Sequence, residues 1–184
     1  NFFRDEDGWS NQLELTHIVQ LAGMRHTLLY GVEIARQTKL QKLYSSNGFT
    51  TVDLYNPILP VVAVDLGGSP VTHNEGRFKN EGLYVQDLID FGSGFKALVG
   101  LRRDWFEQRT IQRLALPNLY RKDAEWSPRA GLVFQPDDKQ SYYASWSRSF
   151  QPSGEGFALA PNNAGIEPEE TTNKEVGAKV GVLG

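Results

Sequence analysis

The chain has 184 residues, is 40% hydrophobic and carries a formal net charge of −3. That balance excludes a disordered chain and gives no electrostatic basis for nucleic-acid binding. It has no cysteine, which excludes a disulfide framework and a thiolate metal site.

The first predicted strand is Trp9–Leu21. Trp9, Leu13, Leu15, Val19 and Leu21 share one face, and Ser10, Gln12, Glu14, Thr16 and Gln20 share the other. His17 falls on the apolar face, against the pattern. A turn over Ala22–Arg25 leads to a second strand, His26–Lys39, where Leu28, Tyr30, Val32 and Ile34 oppose Gly31, Glu33, Ala35 and Gln37. Residues Leu40–Arg77 are rich in turn formers (Ser45-Ser46-Asn47-Gly48, Asn56-Pro57, Gly67-Gly68-Ser69-Pro70) and read as a long loop. Loops of that length are uncommon in compact domains and are usually functional.

The third strand, Phe78–Phe91, has an ambiguous facing, because Leu83, Val85 and Ile89 compete with Tyr84 and Leu88. The tight turn Gly92-Ser93-Gly94 leads into Phe95–Arg109. There Phe95, Ala97, Val99 and Leu101 alternate with Lys96, Gly100, Arg102 and Asp104, with Leu98 as the exception. Arg103 sits on the apolar face beside Trp105, where its stem can snorkel toward polar headgroups. After a loop over Thr110–Asp123 come a fifth strand, Glu125–Gln135, a turn at Pro136–Lys139, and a sixth strand, Gln140–Phe150. A loop rich in Pro, Gly and Asn fills Gln151–Pro168. The seventh strand starts near Glu169, with Val176, Ala178 and Val180 opposing Glu175, Gly177 and Lys179.

No window approaches the roughly 20 apolar residues of a membrane helix. Strands that cross a bilayer hide their hydrophobicity on alternate residues, so a polar average is compatible with them. The connections alternate short and long, which places every long loop at one end. Outer-membrane barrels have that asymmetry, and a sandwich with Greek-key crossovers has no reason to show it. Trp9, Trp105 and Trp126 then fall near the long-loop ends of their strands, as in an interfacial aromatic belt, with Trp146 deeper. The charged face fits a polar lumen, because a dry core could not accept those charges unpaired. The expected fold is all-β: an antiparallel meander of about seven strands forming part of a transmembrane β-barrel, with residues 1–184 as one partial barrel domain. A soluble β-sandwich binding module is the alternative on these patterns alone.

Several runs resemble one family. Gly82-Leu83-Tyr84-Val85-Gln86-Asp87 and Gly100-Leu101-Arg102-Arg103-Asp104 are similar to the GxYxQD and GxRxD strands of TonB-dependent siderophore receptors. Trp126-Ser127-Pro128-Arg129-Ala130-Gly131 resembles their SPRxG strand. Ser141-Tyr142-Tyr143-Ala144-Ser145 with Ser149-Phe150-Gln151-Pro152 resembles YxSxSxSFxP, and Glu167-Pro168-Glu169 with Lys174-Glu175-Val176-Gly177 resembles PExxxxxEvGxK. The order and spacing also agree, from roughly Leu13 to Gly184.

The resemblance implies a Gram-negative outer-membrane barrel of about 22 strands closed by a plug domain. It implies uptake of a ferric siderophore as cargo, not cofactor, powered by TonB with ExbB and ExbD acting through the plug. Other cargoes of the same machinery are cobalamin, haem and glycans. Both ends fall inside patterned sequence and no plug is present, so the chain is expected to be an internal barrel piece. No enzymatic activity and no metal site are expected: the three histidines match no ligand spacing, and no nucleophile, base and orienting group are tied together.

Candidate ligand contacts are Tyr44, Phe49, Tyr55 and His73 on the first long loop, and Tyr120 and Phe157 on the others, because aromatics near a binding mouth can stack on a chelate. Their bland alternative is packing of the loops on themselves. Arg102, Asp104, Arg129, Glu175 and Lys179 are expected in the lumen, facing the plug, or else as a structural ladder of charges along the wall.

Overall fold

A computed structural model describes residues 2–44, 53, 55, 68–114, 116–152, 159, 161 and 164–181. All regular structure among them is β. The strands are β1 (Phe2–Leu21), β2 (Met24–Leu43), β3 (Thr72–Gly92), β4 (Phe95–Gln112), β5 (Leu119–Asp137), β6 (Gln140–Gln151) and β7 (Glu169–Val180). They form one sheet in chain order, every neighbour antiparallel. A meander of this kind needs only hairpins, and each of the three short ones turns in two residues, Ala22-Gly23, Ser93-Gly94 and Asp138-Lys139. Ala22 and Gly23 both have positive φ (52° and 78°), as do Ser93 and Gly94 (51° and 82°). Two-residue turns with positive φ at both positions match the right-handed twist of the flanking strands.

The strands run further toward the long loops than the alternation predicts. β1 begins at Phe2 and not near Trp9, β2 extends to Leu43, and β3 opens at Thr72 and not near Phe78. The connection from β2 to β3 therefore spans residues 44–71, and that from β4 to β5 spans residues 113–118. Beyond an apolar medium both faces of a strand are wet. Backbone pairing then continues without the period-two signal that announces it in the sequence.

The sheet is a single layer. Leu13, Val99, Leu132 and Val176 stay 67%, 47%, 62% and 82% exposed, and the buried hydrophobic residues among those described are few: Phe78, Ala97, Phe106 and Leu159. A sandwich would bury the first set against a second layer, and among the described residues no second layer covers it. The ambiguous β3 is resolved by register. Leu83, Val85, Asp87 and Ile89 lie with the apolar rows of β2 and β4, while Tyr84 pairs with Gly31 and Arg102 on the polar face.

Along β4 the apolar face runs from Phe95 to Trp105. At about 3.4 Å per residue and a tilt of about 40°, those ten steps span about 26 Å of height, close to the apolar band of a membrane barrel. Phe95 stacks on Phe134 (4.2 Å between centroids), and Phe134 neighbours Tyr142 (6.5 Å), forming an aromatic row at the short-turn end. At the other end Arg103 lies over Trp126 (5.0 Å) and Trp105 (5.8 Å), and Arg36 lies over Trp9 (5.7 Å). Both ends of the band thus carry aromatic residues, and the outward cations at its upper edge rest on them.

Candidate functional site

The polar face is where side chains of different strands converge. Strand alternation puts Gln12 and Glu14 of β1, Glu33 of β2, Tyr84 of β3, Arg102 and Asp104 of β4, Ser127 and Arg129 of β5, Ser147 and Ser149 of β6, and Glu175 and Lys179 of β7 on this side. A cavity of ≈ 490 Å³ touches residues from β2 through β6, among them Gln37, Asn80, Arg102, Ser127 and Ser149. One hollow bounded by five consecutive strands means that the sheet curves around its polar side.

At the centre of this wall Arg102 serves two carboxylates. Its Nε donates to both carboxylate oxygens of Asp104 (2.9 and 2.8 Å), and its Nη2 donates to Asp104 Oδ1 (2.7 Å) and Glu33 Oε2 (2.9 Å). The Asp104 side chain is 8% exposed, so this pairing is what makes its burial tolerable. The Arg102 guanidinium also lies 5.4 Å from the Tyr84 ring. The Tyr84 hydroxyl donates to Glu14 and accepts from Gln12 Nε2 (2.7 Å). Nearer the long loops, Arg121 pairs with Asp123 (2.7 Å) and donates to the Ile166 carbonyl, while the Leu159 N–H donates to Thr110 Oγ1 (3.0 Å). Those contacts fold the described part of the β6–β7 loop against the polar face.

The five predicted lumen residues all lie on the polar face, but they do not form one cluster. Arg102 and Asp104 are bonded to each other. Arg129 lies against Gly100, where an added Cβ would come 2.8 Å from its Nε. Glu175 accepts from the Tyr143 hydroxyl (2.6 Å), three strands away from Arg102, and Lys179 pairs in register with Ser141 near the short turns. Sequence reasoning missed Tyr84 as a bridging residue and did not link Glu14 and Glu33 to it and Arg102. Register alone brings them together.

Of the predicted ligand contacts, Phe49 and Phe157 lie outside the described residues. Tyr44 is half-buried just beyond β2, and Tyr55 is 95% exposed, with its N–H bonded to Asp53 Oδ1 (2.8 Å). His73 is not on the loop: it lies inside β3 opposite Lys42, and its carbonyl accepts from the Arg113 N–H (2.8 Å). Tyr120 likewise belongs to β5 and not to a loop. It sits on the outward face with Lys122 over its ring at 5.5 Å. Both were drawn into strands because the pairing runs past the apolar band.

The apolar face holds a polar pair that the alternation gave no warning of. His26 Nδ1 and Asp87 Oδ2 are 2.7 Å apart, with side chains 13% and 18% exposed. His17, on the same face, is register partner to Leu28, between which and Val99 Asp87 lies. No group of three or more metal-ligating side chains occurs among the described residues.

A family model described as "TonB dependent receptor-like, beta-barrel" matches residues 1–184. A metal-pseudopaline receptor of Pseudomonas aeruginosa is 26% identical over 182 residues, covering 94% of this chain and 25% of that protein. The ferrichrome outer membrane transporter and phage receptor of Escherichia coli K12 is 28% identical over 159 residues, covering 84% of this chain and 21% of its own length. The chain thus spans about a quarter of the curated relatives it matches. Among solved structures, the ferric-catecholate import receptor Fiu of E. coli superposes with a TM-score of 0.80 at 19% identity, over 98% of this chain and 29% of that one. The siderophore receptor PiuA of Acinetobacter baumannii gives 0.78 at 21% identity, over 99% and 30%. At those identities the structural likeness establishes the fold alone.

Proposed function

The chain belongs to the TonB-dependent receptor family as part of its outer-membrane β-barrel, and from that premise we propose that its parent protein imports a ferric siderophore. The observation that carries the reading is the two-sided wall. Leu13, Val99 and Leu132 face outward bare, while Glu14, Arg102 and Asp104 face a curved interior. Such a wall separates lipid from a polar bore and can take a polar, charged chelate through the membrane. No covalent chemistry is needed, in keeping with a family of transport receptors.

In this reading the long loops at one end capture the chelate. The proposed contacts at that end are Tyr44, Phe49, Tyr55 and Phe157; His73 and Tyr120 stand in the outward rows of β3 and β5 and are left out of that set. Arg102, Asp104, Arg129, Glu175 and Lys179 face a plug domain, and TonB with ExbB and ExbD supplies the energy through that plug. The quoted motifs and the ferrichrome-transporting relative support an iron chelate as cargo. The metal-pseudopaline receptor favours a second reading, in which the cargo is a chelate of another transition metal.

The test is uptake by cells with and without the parent protein. They are offered radiolabelled iron as a hydroxamate, a catecholate or a carboxylate chelate, and radiolabelled nickel or zinc as its own chelate. The expected result is uptake of one iron chelate that disappears when the parent or TonB is deleted. Uptake of nickel or zinc alone moves the cargo to the second reading. If no metal chelate depends on the parent, the import reading is wrong.

A further inference from the structure

Long side chains on the polar wall cross a neighbouring strand where that strand has a glycine. Tyr84 of β3 lies over Gly31 of β2, and its hydroxyl bonds Glu14 of β1 beyond it. A Cβ at Gly31 would sit 2.0 Å from Tyr84 Cζ and 2.3 Å from its hydroxyl oxygen. Arg102 of β4 passes over Gly82 of β3 in the same way and bonds Glu33 of β2 at 2.9 Å. A Cβ at Gly82 would sit 2.4 Å from Arg102 Nη2. Gly100 of β4 leaves similar room for Arg129 of β5. The three recesses step across β2, β3 and β4, and each admits a side chain from the next strand.

Side chains on a sheet ordinarily stand roughly perpendicular to it, which in a curved wall means pointing into the bore. Here the recesses let them lie along the wall, and Glu14 and Glu33 hold down the far ends of Tyr84 and Arg102. We propose that Gly31, Gly82 and Gly100 clear the bore: they lay Tyr84, Arg102 and Arg129 flat and so keep open the passage between this wall and whatever occupies the interior. Tyr84 is the critical case, because its ring is rigid. Carbon atoms need about 3.5 Å between them, so a methyl group at Gly31 forces the ring back by about 1.5 Å. That breaks the reach to Glu14 and leaves an upright rotamer as the nearest alternative.

The inference rests on the import reading, and its test uses the full-length parent with the chelate that the wild type takes up. Gly31→Ala is expected to lower the import rate about tenfold, with unchanged amounts of folded barrel in the outer membrane. The double variant Gly31→Ala/Tyr84→Ala removes the displaced ring and should restore import to within about twofold of wild type. Wild-type import by Gly31→Ala overturns the proposal. So does a double variant as slow as the single one, which would assign the glycine a purely backbone role. Should Gly31→Ala fail to assemble, Ser127→Trp decides, because it plants a ring beside Arg102 on the same wall without touching a glycine. Slow import by folded Ser127→Trp supports a bore that must stay clear, and undiminished import overturns it. A wild-type protein that imports no chelate would instead defeat the import reading itself, leaving the lie of the Tyr84 ring in a solved Gly31→Ala structure to decide the wall geometry: upright supports the proposal, flat overturns it.

Discussion

Arg102 contacts three carboxylate oxygens from two residues, and two of those oxygens belong to a nearly buried aspartate. Removing the guanidinium leaves Asp104 charged with no partner in a poorly hydrated spot. Arg102→Ala should therefore destabilise the folded parent by about 2–3 kcal/mol, read as a lower urea midpoint in detergent. Arg102→Lys should recover only part of that loss, because an ammonium cannot fork across both oxygens of Asp104 and still reach Glu33. The two faces also respond oppositely to one change. Val99 stands mid-band on the outward face, so Val99→Arg should cost about 2–4 kcal/mol. Ser145→Arg, on the polar face of β6, should be nearly silent in the same unfolding experiment. Equal costs at the two positions would mean that the faces had been assigned the wrong way round.

The strand ends beyond the apolar band are held by ion pairs. At the long-loop end of β3, Glu75 accepts from Arg77 Nε (2.8 Å) and from Arg113, which follows β4. The Glu75 side chain is 10% exposed and the arginines are about half exposed, so the clamp is worth about 1 kcal/mol after solvent screening. The hydrogen bonds from Arg113 and then Arg77 hold the Glu75 carboxyl below the usual carboxylate range. A depressed carboxyl stabilises the fold above its unfolded value, about pH 4.3, and loses that contribution as pH falls through its folded value. Hydrogen exchange at the Arg113 N–H, which bonds the His73 carbonyl, should accelerate relative to its intrinsic rate as the pH is lowered below about 4.3. Glu75→Gln should abolish that acceleration. If exchange in the native protein shows no such pH dependence, the clamp does not hold this strand end.

At the scale of the molecule, β1 pairs only with β2 and β7 only with β6, so the sheet does not close on itself. In hydrocarbon each unpaired backbone group costs several kcal/mol, and seven strands are too few for a barrel of about 22. Residues 1–184 produced alone should therefore fail to give a membrane-inserted species whose gel mobility shifts on heating. The full-length parent should give one. A monomeric, heat-modifiable 184-residue chain in lipid would show that these seven strands close by themselves.

The period-two alternation by itself determined the strand count and the outward side of every strand but β3, because a lipid-facing wall imposes that pattern on the strands it contains; the family was legible in the ordered motifs instead. The alternation put Arg102, Asp104, Arg129, Glu175 and Lys179 in one set of alternating positions, and the sheet register lines those positions up on one face. It could not mark where strands end outside the bilayer, since no hydrophobic contrast survives there, and His73 and Tyr120 were misplaced on loops for that reason. It left β3 unresolved because Tyr84 and Leu88 on the polar face are as apolar to the eye as Leu83. Only the register of the sheet decided which side chains meet: Tyr84 with Glu14, Arg102 with Glu33, His26 with Asp87. Residues 61 to 70 positions apart in the chain become neighbours through backbone pairing, and a linear pattern of hydrophobicity carries no information about that pairing.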